Sequence, residues 1–196
     1  MTLAEACGRK VPAASALNCS YRMFGHVESI HVADAARAPV YAVDEAEAVA
    51  GRGLAGDRYE RGAGTFSDWP RDHEFTLIEA EVIENAAEEF GLLLAPGESR
   101  RNVTTRGIRL NPLVGRRFRV GEHVVCEGTR LCEPCAHLEV VTQKGGLCRV
   151  LAGRGGLRAR ILTGGPIRVG DTITLLEEKE TANEDDHAAD ACPAER

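Results

Sequence analysis

Residues 116–131 have the sequence "RRFRVGEHVVCEGTRL", in which two short apolar runs flank the dipeptide Gly121-Glu122. A turn between two such runs is typical of a β-hairpin. Short apolar runs separated by turn residues recur along the chain, which contains 21 glycines and only 5% aromatic residues. We therefore expect a mainly β fold with a few helices, of the α+β class, rather than a helical bundle.

Further strands are predicted on both sides of this hairpin. The segment "GHVESIHV" (25–32) alternates apolar and polar residues in the manner of a half-buried strand. The other predicted strands lie at 38–45, from Val103 onward, at 157–162 and at 171–177, with a Gly-Gly-Pro turn at 164–166. At 196 residues and 43% hydrophobic content, the chain has the size of one well-packed domain with a single core.

One long helix is predicted in "EFTLIEAEVIENAAEEFGL" (74–92), which begins as a short strand and then changes to helical spacing. Gly91 is the predicted stop signal. The apolar face of this helix comprises Val82, Ile83, Ala86, Ala87 and Phe90. A second, short helix is expected near Pro134, and a further helical turn after residue 145.

The two ends of the chain differ from the segment between them. Residues 177–196 hold eight of the 30 acidic residues, two of the 24 Lys and Arg residues, and almost no large apolar side chain. This composition predicts a disordered acidic tail. Residues 1–24 are predicted to be a flexible N-terminus, which leaves one domain at 25–176. Acidic and basic residues are equally numerous in residues 1–176, so the basic stripe of a nucleic-acid binder is not expected.

The sequence also lacks the signals of membrane insertion and secretion. No stretch approaches the ~18 apolar residues of a membrane span, and the first twenty residues contain no compact apolar run. We therefore expect a cytoplasmic protein with no membrane partner. Thiols stay reduced in that compartment, so the seven cysteines are not expected to form a disulfide framework.

The segment "TRLCEPCAHL" (129–138) contains Cys132, Cys135 and His137 within six residues. A structural zinc site would need a fourth ligand, for which Cys126 and Cys148 are candidates, but a second CxxC pair is missing. A redox or sulfur-transfer role suits a CxxC pair at the start of a helix, where a thiolate is favoured. The alternative is that both cysteines are small apolar core residues.

Arginines lie beside glycines or hydroxyl groups in three predicted loops, at 56–59, 98–102 and 152–160. Guanidinium groups bind phosphate bidentately, and glycines let backbone N–H groups approach it, so these loops suit a phosphorylated ligand. The alternative is that the arginines are solvated surface residues. The segment at 51–73 is uncommonly long for a loop without periodicity, which is typical of a functional loop.

Other catalytic patterns receive little support. The segment "GAGTFSDW" (62–69) lacks the lysine of a P-loop and is not the GxSxG elbow of a serine hydrolase. His73, at a predicted junction of loop and strand, is a candidate acid or base of a pocket, although a lone histidine in that position is more typical of the surface. Nucleotide hydrolysis and serine hydrolysis are therefore not expected.

Taken together and in order, these motifs resemble those of stand-alone bacterial MOSC-domain proteins, whose domain is named after the C-terminal part of molybdenum cofactor sulfurase. The resemblance covers the chain from about Gly25 to Leu176. It is carried by segments 53–59 with 62–67, 76–84, 96–121, 129–139 and 154–171. It implies a β-barrel-like fold, binding of the pyranopterin molybdenum cofactor or transfer of its sulfur, and a functional cysteine.

The resemblance also implies roles for individual residues. Cys135 follows the proline of "EPC" and matches the family's key cysteine, which supplies a thiolate ligand to molybdenum in metal-bearing relatives. Cys132 is its neighbour, and a complete CxxC raises the prospect of persulfide or disulfide chemistry. The "RRN" segment resembles the one that holds the pterin and its phosphate. The predicted cofactor-binding residues are Arg58, Thr65, Ser67, Arg100, Arg101, Asn102, Arg154 and Arg158.

Three functions are compatible with this assignment. The first is a molybdenum enzyme that reduces a small N-hydroxylated or similarly oxidised substrate with electrons from a redox partner. The second is a sulfur carrier that holds on Cys135 a persulfide received from a cysteine desulfurase. The third is a module that stores or delivers the cofactor. Pyridoxal phosphate is not expected on this chain, because none of Lys10, Lys144 and Lys179 lies in a fitting motif.

Overall fold

The computed structural model describes residues 24–68 and 74–176. The strands in this part of the chain are β1 (Phe24–Val32), β2 (Tyr41–Val43), β3 (Glu45–Val49), β4 (Gly53–Leu54), β5 (Phe75–Glu79), β6 (Val103–Arg106), β7 (Arg117–Val120), β8 (Val124–Leu131), β9 (Leu157–Thr163), β10 (Gly165–Arg168) and β11 (Thr172–Leu175). The helices are α1 (Ala80–Phe90), α2 (Ala136–Thr142) and α3 (Leu147–Val150), with a 3-10 turn at Asn111–Leu113.

Seven of these strands form a closed, mixed β-barrel. The order around the ring is β1, β11, β7, β8, β9, β5 and β6, and β6 pairs again with β1. The β5–β6 pair is parallel because α1 connects the two strands, whereas the other pairs of the ring are antiparallel. Strand β2 extends the sheet beyond β1, and β10, β3 and β4 form a small second sheet. The barrel confirms the mainly β prediction.

Two apolar clusters hold this structure together. The first fills the barrel and includes the fully buried Phe75 and Phe118. Strand β7 shows how the sequence pattern directs burial, since Phe118 and Val120 face inward while Arg117 and Arg119 face solvent. The second cluster lies outside the barrel, among the three helices. Its buried members are Val82, Ala86, Leu138, Leu147, Val150 and Leu151. It holds α2, and the cysteine segment that precedes it, beside the barrel.

Most of the predicted elements are confirmed. The hairpin turns at 121–123, and α1 ends at Gly91, whose left-handed backbone (φ 63°) closes the helix with two hydrogen bonds. The predicted short helix near Pro134 begins at Ala136. Segment 38–45 is divided between β2 and the first residue of β3.

Two local predictions are wrong. Phe90 was placed on the buried face of α1, but its side chain is 49% exposed, because it lies in the last turn and packs under the guanidinium of Arg154 instead of in the helical cluster. The Gly-Gly-Pro segment is not a simple turn, because Gly165 and Pro166 belong to β10 and pair with Ala48 and Glu47 of β3. Proline is tolerated in such a strand at the sheet edge.

Some sequence predictions concern residues outside the described part of the chain. These are the flexible N-terminus up to residue 23, His73, the acidic tail at 177–196, and the cysteines Cys7, Cys19 and Cys192. Among the helices that the structure describes, none is both long enough and apolar enough to span a bilayer.

Candidate functional site

One cleft gathers the cysteine segment and most of the predicted arginines. Its overall volume is about 610 Å³, including the part open to solvent. The walls come from the loop after β4, the loop before β6, the segment between β8 and α2, and strand β9. The lining residues are Arg58, Tyr59, Thr65, Phe66, Thr76, Arg100, Arg101, Cys132, Glu133, Pro134, Cys135, His137, Leu138 and Arg158. We call it the cysteine–arginine cleft.

The two cysteines of the CxxC pair occupy different environments. Cys135 is exposed and forms the N-cap of α2 with an extended backbone, φ −136°. Cys132 is 3% exposed, and its N–H donates a 2.7 Å hydrogen bond to the carbonyl oxygen of Gly156 at the start of β9. Both are free thiols. Cys135 is therefore the thiol that a ligand in the cleft can reach, while Cys132 is largely a packing residue.

Arg101 fixes the position of the cysteine segment. Its side chain is buried, and its Nε and two Nη atoms donate to three backbone carbonyls, of Gly155 (2.9 Å), Ser99 (2.9 Å) and Cys132 (2.7 Å). These bonds connect the loop before β6 to the segment before α2 and the loop before β9. Such a buried, fully oriented guanidinium holds its neighbours in one arrangement.

Arg58 and Arg100 bring further positive charge to the cleft. Arg58 is 5% exposed, pairs with Asp57 at 3.1 Å, and donates to the carbonyl oxygen of Arg100 at 3.2 Å. Arg100 is half-buried and donates to the carbonyl of Ala38 at 3.0 Å. Burial, followed by the charge of Arg58, lowers the pKa of Arg100, but a guanidinium remains protonated at neutral pH.

The charge balance of the cleft floor favours an anion. Within the described residues, neither Arg100 nor Arg101 has a carboxylate at ion-pair distance, since the hydrogen bonds of both go to backbone carbonyls. Arg158 of β9 adds a fourth guanidinium to the lining. The lining thus holds four guanidinium groups and one carboxylate, that of Glu133, an excess of positive charge that favours a ligand with phosphate oxygens.

His137 is the cleft residue whose role the sequence did not indicate beyond a zinc-ligand role. Its Nε2 lies 3.4 Å from the hydroxyl oxygen of Thr65, and the ring of Phe66 packs edge-on at 5.5 Å between centroids. Burial, and then the charges of Arg37 and Arg100, lower its pKa below the ordinary value of 6.5. The ring is therefore neutral at neutral pH. The available signal was its position two residues after Cys135 at the start of α2.

The structure brings together seven of the predicted site residues and leaves three outside the cleft. Ser67 accepts a hydrogen bond from the N–H of Gly64 at 2.9 Å and so stabilises its own loop. Asn102 is 1% exposed, and its Oδ1 accepts hydrogen bonds from the N–H and hydroxyl of Thr76. Arg154 donates to the carbonyl of Val150 and lines a different cavity, next to α1. The seven in the cleft are Arg58, Thr65, Arg100, Arg101, Cys132, Cys135 and Arg158.

The geometry does not favour a structural zinc site. Across residues 24–68 and 74–176, no group of three His, Cys, Asp or Glu side chains is placed to hold a metal ion. Cys126, one of the candidate fourth ligands, is fully buried in the barrel, and burial strongly raises the pKa of its thiol. The interpretation of cysteine as an apolar core residue therefore applies to Cys126 and Cys132, but not to Cys135.

Comparison with known proteins identifies one family and several similar folds. The MOSC domain family model matches residues 29–174. The crystal structure of the YuaD protein from Bacillus subtilis is 19% identical, with a TM-score of 0.67 over 78% of this chain and 96% of that one. The YiiM structures from Geobacillus stearothermophilus and Escherichia coli are each 18% identical, with TM-scores of 0.58. They cover 81% and 79% of this chain, and 78% and 71% of their own. The comparison with curated proteins returns no match.

Proposed function

The chain belongs to the MOSC domain family, and we propose that it binds a pyranopterin molybdenum cofactor in the cysteine–arginine cleft and reduces small N-hydroxylated or similarly oxidised substrates. The family is one of proteins that bind this cofactor or carry its sulfur. The observation that supports the proposal most strongly is the placement of one exposed thiol, Cys135, on a cleft lined by four arginines.

The residues of the cleft fit such a cofactor in three respects. Thiolate sulfur is a soft ligand suited to a sulfur-rich metal centre. Arg58 and Arg100 place two guanidinium groups in the lining, and Arg100 forms no ion pair within the described residues, which suits a phosphate group. The cleft is also open to solvent, and the exposed residue Cys135 lines it, so a ligand can reach the thiol.

Each cleft residue then has a role. Cys135 would ligate the metal, Arg58 and Arg100 would bind the phosphate, and Arg101 would hold the cysteine segment in place. When bound, the cofactor supplies two-electron metal redox chemistry. Reduction of an N–OH group consumes two protons and releases water, and His137 is placed to exchange a proton at Nε2. Electrons must come from a redox partner, because the sequence contains no flavin or iron–sulfur motif.

A reductase assay tests this function. Protein purified from a host that makes the cofactor should reduce an N-hydroxylated nucleobase with reduced viologen as electron donor. Cys135→Ser should abolish the activity, whereas Cys148→Ser, which changes a thiol outside the cleft, should keep it. Equal reduction by protein from a cofactor-deficient host would exclude the molybdenum-dependent reaction.

The exposure of Cys135 also favours a second function, that of a sulfur carrier. An exposed thiolate can take the terminal sulfur from the persulfide of a cysteine desulfurase, a transfer that leaves the desulfurase as a thiol. Incubation of metal-free protein with a desulfurase and cysteine would then add ~32 Da, one sulfur atom, to Cys135. Absence of this adduct, together with molybdenum-dependent reduction, would eliminate the carrier function.

A further inference from the structure

A third cysteine lies beside the functional one, outside the cysteine–arginine cleft. Cys148 is partly exposed and belongs to the first turn of α3. Its N–H donates a 2.8 Å hydrogen bond to Oε1 of Glu139. Glu139 therefore holds the backbone of Cys148 against α2.

The position of Glu139 on α2 brings Cys148 towards Cys135. Residues 135 and 139 are four apart, so Cys135 and Glu139 lie on the same side of the helix, one turn from each other. The α2 and α3 helices pack through Leu138 and Leu147 in the helical cluster, which fixes their relative position. Cys148 is thus held beside the turn of α2 that begins at Cys135.

The electrostatics of the two thiols agree with this placement. Burial raises the pKa of Cys148, and the hydrogen bond to Glu139, the charge of Glu139 and the charge of Cys135 raise it further. The Glu139 carboxylate is also placed to accept the thiol proton when the Cys148 sulfur attacks.

Cys132 is a poorer partner for Cys135 despite its place in the CxxC pair. Its side chain is 3% exposed. Its backbone is held on both sides, since its N–H bonds to Gly156 and its carbonyl accepts from Arg101, each at 2.7 Å. Formation of a disulfide requires both Cβ atoms to approach within about 4.5 Å with a specific torsion. The fixed, inward-facing Cys132 would have to leave the core to meet an exposed Cys135.

We propose that Cys148 is the redox partner of Cys135, and that hydrogen peroxide converts the two thiols into a Cys135–Cys148 disulfide in the cofactor-free protein. The Cys135 sulfur attacks a peroxide oxygen and the O–O bond breaks, which gives a sulfenic acid and water. The Cys148 sulfur then attacks the sulfenic sulfur, the S–O bond breaks, and a second water leaves. Two thiols are oxidised, and one hydrogen peroxide is reduced to two waters.

This disulfide would remove the thiolate that a metal needs, so the oxidised chain could not accept a metal centre at Cys135 until a thiol reduced it. The inference goes beyond the proposed function, because it concerns the metal-free chain and does not depend on the reaction catalysed. Its failure would therefore leave the reductase and carrier functions untouched.

Peptide mapping tests the inference. Full-length, metal-free protein is treated with hydrogen peroxide, alkylated and digested with trypsin without reduction. Cleavage after Arg130, Lys144 and Arg149 separates a peptide with Cys132 and Cys135 from one with Cys148. We expect these two peptides to be cross-linked in the wild type and in Cys132→Ala. In Cys148→Ser the cross-link should be absent, and Cys135 should instead be oxidised to sulfinic or sulfonic acid.

Two results would overturn the proposal. One is a disulfide between Cys132 and Cys135 within the same peptide of the wild type. The other is oxidation of Cys135 to sulfinic acid at the same rate with and without Cys148. The Cys132→Ala variant distinguishes the Cys135–Cys148 disulfide from the Cys132–Cys135 disulfide even if Cys148→Ser folds poorly. In that variant Cys135 cannot pair with residue 132, so a cross-link to the peptide that contains Cys148 identifies the partner.

Discussion

Arg100 is held in an unusual backbone conformation at the edge of the cleft. Its φ is 59°, in the left-handed region that residues other than glycine seldom occupy. Its guanidinium is half-buried, bonded to the carbonyl of Ala38, and close to the charge of Arg58. Asp57 pairs with Arg58, but the charge of Arg58 still lowers the pKa of Arg100, so a bound anion would relieve the repulsion between the two guanidinium groups. We therefore regard Arg100 as the arginine whose loss affects anion binding most.

Substitution Arg100→Ala should weaken cofactor retention about tenfold to a hundredfold, since one charge-assisted contact contributes about 1.5–3 kcal/mol. Arg168→Ala is the matched control, because that arginine is exposed on β10 and pairs with Glu45, and neither residue lines the cleft. Each cofactor-loaded variant is dialysed against apo protein, and the cofactor that it retains is measured. Melting curves are recorded for both variants. Unchanged retention in Arg100→Ala, at an unchanged melting temperature, would contradict an anion-binding role.

His31 gives the fold a pH dependence with a definite sign. It is 2% exposed in β1, its Nδ1 has no hydrogen-bond partner among the residues that the structure describes, and burial lowers its pKa from the ordinary 6.5. The unfolded chain therefore binds the proton first, and the free energy of unfolding falls as pH drops below 6.5 towards the lower folded value. Between about pH 7.5 and about pH 5.5, the free energy of unfolding measured in urea should decrease less for His31→Phe than for the wild type. An equal decrease in the two proteins would mean that His31 does not contribute to this pH dependence.

At the scale of secondary-structure elements, the cysteine segment depends on close packing against the loop before β9. A Cβ atom on Gly155 would lie 2.5 Å from the carbonyl oxygen of Cys132 and 2.8 Å from Cδ of Pro134. Contacts this short are not tolerated, so the segment and the loop would have to separate. The carbonyl oxygens of Gly155 and Cys132 also accept the hydrogen bonds of Arg101 that orient the segment, so a separation would disturb these bonds as well.

Substitution Gly155→Ala should lower stability by about 1–3 kcal/mol, as expected for overpacking. It should also change the alkylation rate of Cys135, because the segment moves. Gly145→Ala is the control, since a Cβ atom there meets nothing within 4 Å and the position lies between α2 and α3. Thermal melting and timed alkylation of both variants measure the two effects. Identical behaviour of the two variants would show that the packing is not tight.

The sequence predicts elements well where a local pattern decides the structure. The hairpin at 116–131, the strand at 25–32 and the end of α1 at Gly91 follow from alternation and turn chemistry within a few neighbouring residues. Phe90 illustrates the limit, because helical spacing alone does not reveal where the partner surface of a helix ends. Its neighbour in space, Arg154, comes from a loop far along the chain.

In the candidate site, too, the sequence indicates the types of residue but not which of them meet in space. The arginines of three loops could be proposed as ligands from composition, but their meeting depends on contacts over long sequence distances, such as Arg58 with Arg100 and Arg101 with Cys132. Arg154 and Arg158 looked equivalent in sequence. Strand β9 begins at Leu157, so Arg158 lies on the strand that borders the cleft, while Arg154 lies in the preceding loop. The proximity of Cys148 to Cys135 was likewise invisible without the packing of α2 and α3.

At the scale of the whole molecule, closure of the barrel joins the two ends of the domain. Residues 24–26 of β1 pair with residues 172–174 of β11, and the N–H of Leu176 still bonds to the carbonyl of Arg117. A closed barrel leaves no free edge at this seam. The family match, at residues 29–174, falls within the predicted domain at 25–176.

Truncation after Leu176 should leave the melting temperature and the cofactor content within experimental error. The removed residues carry eight acids, two bases and few large apolar side chains, a composition that offers little surface to bury. Thermal unfolding of the full and truncated proteins gives the comparison. A large decrease in melting temperature would show that the acidic segment packs against the domain.

Molybdenum and pterin content is the most direct test of the proposal that Cys135 holds a metal centre in the cysteine–arginine cleft. Wild-type protein, Cys135→Ser and Cys148→Ser are purified from the same cofactor-producing host, and metal is measured by elemental analysis and pterin by fluorescence. The wild type and Cys148→Ser should contain substantial molybdenum with pterin, and Cys135→Ser should lose most of the metal. Equal molybdenum in Cys135→Ser and the wild type, or wild-type protein without molybdenum, would contradict the account.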